Sequence, residues 1–118
     1  MTFDRLLRFA FWAAVCFAFV MAVLPHPPQL PGAPSDKILH ILAFTVLSGL
    51  AGASFRNSPL LGIGIRLSAF GALIELVQAV PALHRDSSVI DWLADTAAVL
   101  VVLIIVAIVR RGRRFGAK

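Results

Sequence analysis

The chain has 118 residues, of which 59% are hydrophobic and 14% charged, with a mean hydropathy of +0.90. That balance excludes an ordinary soluble domain and leaves room for little beyond membrane-spanning helices in one integral membrane domain, 1–118. The net charge of +5 and a pI near 11.2 also suit a nucleic-acid binder, but basic residues flanking apolar spans read as lipid anchors, so no nucleic-acid partner is expected.

Four apolar stretches follow in chain order, at 6–24, 38–55, 60–80 and 89–109. Each holds about 18–21 residues, which at ~1.5 Å per residue covers a ~30 Å hydrocarbon core. The expected fold is all-α, a four-helix transmembrane bundle with both termini cytoplasmic. The first stretch carries aromatic residues (Phe9, Phe11, Trp12, Phe17, Phe19) and no ionisable group in its interior, as suits packing or lipid contact. Its basic start and Val20-Met21-Ala22 also fit a cleaved signal peptide, but the apolar run is long for one. Cys16 is the single cysteine, which rules out an intramolecular disulfide.

A loop with five of the seven prolines, from Pro25 to Pro34, is expected to run extended over the surface. Ser35 is the expected N-cap of the second helix, with Asp36 in its first turn. Ser58-Pro59 reads as an N-cap followed by proline at the first helical position of the third. Ser88-x-x-Asp91 has capping-box spacing at the start of the fourth. Small residues, among them Gly49, Gly52, Gly62, Gly64 and Gly71, allow close helix contact. A basic tail, 110–118, closes the chain.

Charge gives the orientation. Arg5, Arg8, Arg56, Arg110, Arg111, Arg113, Arg114 and Lys118 fall on one side, against Lys37 and Arg85 on the other. Eight against two places the termini in the cytoplasm of a bacterial inner membrane. Five of the six acidic residues then gather at the outer end: Asp36, Glu75, Asp86, Asp91 and Asp95. A carboxylate in hydrocarbon is costly and persists where it has a partner or a task. Asp36 with His40, Glu75 with Gln78, and Asp91 with Asp95 are pairs three or four residues apart, each on one helix face. Three helices thus bring polar pairs to one outer layer.

Lys37, Arg85 and Ser87 at its mouth, with helix N-termini beside them, suit an anionic headgroup such as a lipid phosphate. Asp36 and Gln78 complete the candidate binding set. Glu75, Asp91, Asp95 and His40 are the candidate acid, base or proton-relay groups. The same oxygens and imidazole would accept a divalent cation, but no spacing along the chain is diagnostic, so no metal ligand is assigned and no cofactor named. The alternative is structural: Asp36 and Asp91 cap helices, and His40, Glu75, Gln78 and Asp95 bond across a non-catalytic assembly protein. Trp92 reads as an interfacial belt residue.

Asp36-Lys37-x-x-His40, Glu75-x-x-Gln78, Arg85-x-Ser87 and Asp91-x-x-Ala94-Asp95-Thr96, in that order and spacing, resemble the VanZ-like membrane proteins. The likeness runs from residue 36 to about 98, roughly half the chain. It departs at Asp95, where the family usually has Asn, and at Ala98, where Gly often follows. The resemblance implies a compact four-helix protein of the cell envelope, in a family named for a teicoplanin-resistance member. The partners expected are membrane lipids, an anionic envelope lipid among them, and for any transport role a homo-oligomer.

Overall fold

Long apolar runs without an internal helix breaker should fold as helices in lipid, since only intrahelical bonding satisfies every backbone group there. The computed structural model of the protein describes residues 2–24, 36–80 and 89–116, and among these every regular element is a helix. The four are α1 (Phe3–Val23), α2 (Asp36–Ser54), α3 (Leu60–Gln78) and α4 (Val89–Gly116). The protein is an all-α four-helix bundle.

Three of the helices, α1, α3 and Val89–Arg113 within α4, are long and apolar enough to cross a membrane. The apolar stretch of α2, Ile38–Ser54, is shorter. This helix is the packing centre and contacts all three others. Its inward stripe of Phe44, Leu47, Ser48 and Ala51 is almost wholly buried. The opposite holds for the outer faces, where Phe9, Phe17, Leu61, Leu76 and Ile108 are each more than 60% exposed. Apolar residues outside and Ser48, Glu75, Gln78 and Asp95 inside are the distribution a lipid surround selects.

Two glycines allow close approach to the apolar middle of α4. A Cβ at Gly52 would stand 3.0 Å from the Val106 side chain, and one at Gly64 would stand 3.2 Å from Leu103. Gly49 and Gly62 have nothing within 4 Å, so one glycine of each pair sets a helix contact.

The helix ends depart from expectation in instructive ways. The tail expected to follow α4 is instead its continuation: the helix runs to Gly116, 28 residues in all. At ~1.5 Å per residue that is about 42 Å, so α4 outreaches a hydrocarbon core by a few turns. Cations there favour the helical form because they meet the negative end of the helix dipole. At α3 the cap is Pro59, not Ser58. Its ψ of 135° is extended and no side chain caps the helix, so the helix begins one residue later than Ser58-Pro59 suggested. At α1, Thr2 accepts from the Arg5 amide at 3.2 Å, a cap not anticipated. The proposed caps Ser35 and Ser88 lie outside the described residues.

The start of α1, the α2–α3 turn and the later turns of α4 lie at one end of the bundle. Arg56, in the α2–α3 turn, donates to Asp4 at 2.8 Å, and Arg8 lies over the Phe55 ring at 5.8 Å. Arg110 of α4 donates to the carbonyls of Ser58, Gly52 and Phe55 at 3.1, 3.0 and 3.1 Å. The last turn of α2 leaves carbonyls without helical partners, and a guanidinium with its forked donors fills that need better than an ammonium would. Arg110→Ala should therefore destabilise the bundle by roughly 2–3 kcal/mol, because charge-assisted bonds to half-buried carbonyls are lost. Asp4→Asn, at the exposed Asp4–Arg56 pair, should cost less than about 1 kcal/mol. Thermal unfolding in detergent checks both, and equal losses would contradict this account.

Candidate functional site

The inward stripes of three helices end in polar residues at the other end of the bundle. Along α2 the stripe runs His40, Phe44, Leu47, Ser48 and Ala51, and along α3 it runs Ile63, Leu67, Gly71, Ile74, Glu75 and Gln78. On α4 it runs Asp95, Val99 and Leu103. Spacings of three and four keep each set on one face. The same periodicity that builds the apolar core therefore delivers His40, Glu75 and Asp95 to a common point.

His40 Nδ1 is 3.4 Å from Asp95 Oδ2 and 4.0 Å from Glu75 Oε1. With Asp95 ionised, an Nδ1–H donates to it over a long hydrogen bond. Asp95 is 1% and Glu75 8% exposed, so both carboxyl groups are inside the protein. The other oxygen of Asp95, Oδ1, is buried and has no hydrogen-bond partner. Directly beneath lie Phe44, Ile74 and Val99, all 2% exposed or less. A Cβ at Gly71 would stand 3.3 Å from the Phe44 ring and 3.4 Å from the Trp92 ring. Phe44 in turn packs against Phe70 at 6.0 Å. The trio thus rests on a dry aromatic and aliphatic floor.

Of the four expected acid–base groups, His40, Glu75 and Asp95 converge. Asp91, one turn before Asp95, is half-buried. Gln78 turns elsewhere: its amide donates to the Ala22 carbonyl at 3.0 Å, satisfying the last turn of α1. That bond and the buried Phe11 and Ala22 tie α1 into the bundle. Arg85 and Ser87 lie outside the described residues, as do the side chains of Asp36 and Lys37. Sequence reasoning missed a second tie. Trp92 Nε1 donates to the Ser68 carbonyl at 2.9 Å, and the Ser68 and Thr96 hydroxyls are 3.0 Å apart. The indole expected in an interfacial belt instead bonds α4 to α3. Its position three residues before Asp95, on nearly the same face, was the available signal.

The basic end is a weaker candidate. A cavity opens there between α2 and α4, lined by Gly52, Ser58, Val106 and several arginines. Arg56 pairs with Asp4, and Arg110 is occupied by three carbonyls.

The different partners of Gln78 and the trio separate experimentally. Gln78→Ala should lower stability by about 1 kcal/mol through the orphaned Ala22 carbonyl, leaving the His40 imidazole resonances in place. A shift of those resonances as large as that from Asp95→Asn would show that Gln78 belongs to the trio.

Compared with protein-family models, with curated proteins and with solved structures, the chain matches none of them.

Proposed function

We propose that the chain is a VanZ-like protein of the bacterial inner membrane that binds or processes a phosphate-bearing envelope lipid at the outer leaflet. The observation that carries this reading is the buried trio, His40 between Asp95 at 3.4 Å and Glu75 at 4.0 Å, at the end of the bundle opposite most of the cations. The excess of arginine around the termini and the α2–α3 turn supports a cytoplasmic position for that end. The trio then faces outward, at about headgroup depth. All four helices cross, α2 with its shorter apolar stretch sheltered by the other three.

In this reading Lys37 and Arg85 hold the anionic head, with Asp36 and Ser87 beside them. His40 takes or gives the proton, oriented by the Asp95 carboxylate. Glu75 and Asp91 supply further acid–base capacity within reach of the same headgroup layer. Native mass spectrometry of protein purified in mild detergent tests this. Wild-type protein should retain an anionic phospholipid and Arg85→Ala should lose most of it. Equal retention by both, or none by either, removes the lipid from the account.

A second reading has its own support. Gln78 to Ala22, Trp92 to Ser68 and Ser68 to Thr96 are polar ties between helices, and the trio would be one more in a non-catalytic assembly protein. Under it, Glu75→Gln and Asp91→Asn lose thermal stability in detergent in proportion to any loss of cellular function. A variant that melts like wild type yet fails in cells excludes this second reading.

A further inference from the structure

We infer that His40, Glu75 and Asp95 form a binding site for one divalent transition-metal ion, of the class that takes mixed imidazole and carboxylate ligands. One ligand atom from each residue lies within 4.8 Å of the other two. Metal–ligand bonds of about 2.1 Å put neighbouring ligand atoms about 3.0–3.4 Å apart, from octahedral to tetrahedral angles. The His40–Asp95 separation of 3.4 Å already has that value. The His40–Glu75 separation of 4.0 Å and the Glu75–Asp95 separation, within 4.8 Å, are longer, so the Glu75 carboxylate has to move in by roughly 0.5–1.5 Å.

The acidic residues alone would not make a site. The independent observation is Asp95, which is 1% exposed yet leaves Oδ1 buried without a hydrogen bond. A buried acceptor with no donor costs free energy, more so when charged. Without the ion, an Nδ1–H of His40 satisfies one oxygen of this carboxylate; on binding, that proton leaves to solvent, Nδ1 becomes a ligand, and the cation takes its place beside the carboxylate.

Charge supports the same conclusion. When two carboxylates and a neutral imidazole act as ligands, a divalent ion among them offsets the carboxylates' mutual repulsion. The imidazole selects the class of ion: Mg²⁺ and Ca²⁺ prefer oxygen ligands alone, whereas Zn²⁺ and its first-row neighbours accept nitrogen. Three protein ligands leave coordination positions open, as in catalytic rather than structural sites. Along the chain these ligands stand at 40, 75 and 95, so no short-range spacing signals them.

The test uses the full chain in detergent, stripped of lipid, so its outcome is separate from lipid retention, which is measured with chelator present. The chain has three histidines, His26, His40 and His84. In the H26Q/H84Q background His40 is the sole imidazole. Zn²⁺ loading followed by desalting should leave one ion per chain. Mn²⁺ loading should give an electron spin-echo signal modulated by a single imidazole nitrogen. His40→Gln and Asp95→Asn should each weaken Zn²⁺ binding at least 100-fold. No retained Zn²⁺, or bound Mn²⁺ without nitrogen modulation, overturns the inference in a protein whose proposed ligands are all intact. That arm decides the matter even if the ligand variants fail to fold.

Discussion

A hydrocarbon surround supplies no hydrogen-bond donor or acceptor, so polar groups in these helices have to be satisfied within the bundle or at its two ends. The tertiary organisation follows from that constraint. The apolar outer faces contribute little to holding the helices together, because lipid is as apolar as they are. Specificity of packing falls to close contacts such as Gly52 on Val106 and Gly71 under Phe44 and Trp92, and to a few polar bonds. Gln78 caps α1, Trp92 joins α4 to α3, and Arg110 caps α2. Each places a side-chain donor on a main-chain carbonyl of another element.

The inward stripe of α4 shows how the two ends were divided. It begins at Asp95, passes through Val99, Leu103 and Val106, and ends at Arg110, with an acid at one end and a cation at the other. Arg110 is wholly accounted for by the three carbonyls it meets. Asp95 is not accounted for, since one of its oxygens is buried without a bond. The contrast separates a cap from a site: a helix terminus needs donors, and a guanidinium supplies them, but no main-chain need is met by burying a carboxylate beside another.

The helical class was legible from hydropathy, and spacings of three or four gave the faces on which His40, Glu75 and Asp95 meet, one residue from each expected pair. Partners were much less so. Glu75 and Gln78 share a face by spacing, yet one turns toward His40 and the other toward Ala22, a choice made by where α1 ends. Ser58 looked like a cap by its residue type, but with Pro59 extended its carbonyl becomes an acceptor for Arg110. At the C-terminus the arginines end the apolar span but not the helix, which continues to Gly116. The choices of partner by Gln78 and Arg110 concern contacts between elements distant in sequence, which local pattern does not encode.

The composition of the trio bears on whether it is a tie or a site. For an interhelical tie, neutral side chains suffice: the Ser68–Thr96 pair and the Gln78 amide perform that task here without charge. Two carboxylates around one imidazole are a poor choice for the same purpose, since like charges in a low-dielectric layer oppose each other and each is costly to desolvate. The arrangement becomes favourable when positive charge is added, either as a proton on the imidazole and one carboxyl or as a metal ion. Both additions are reversible. Asp95 is the residue on which this turns. An asparagine there would keep a hydrogen bond to His40 and remove the charge, so a bundle that needed only the bond would have no use for the acid.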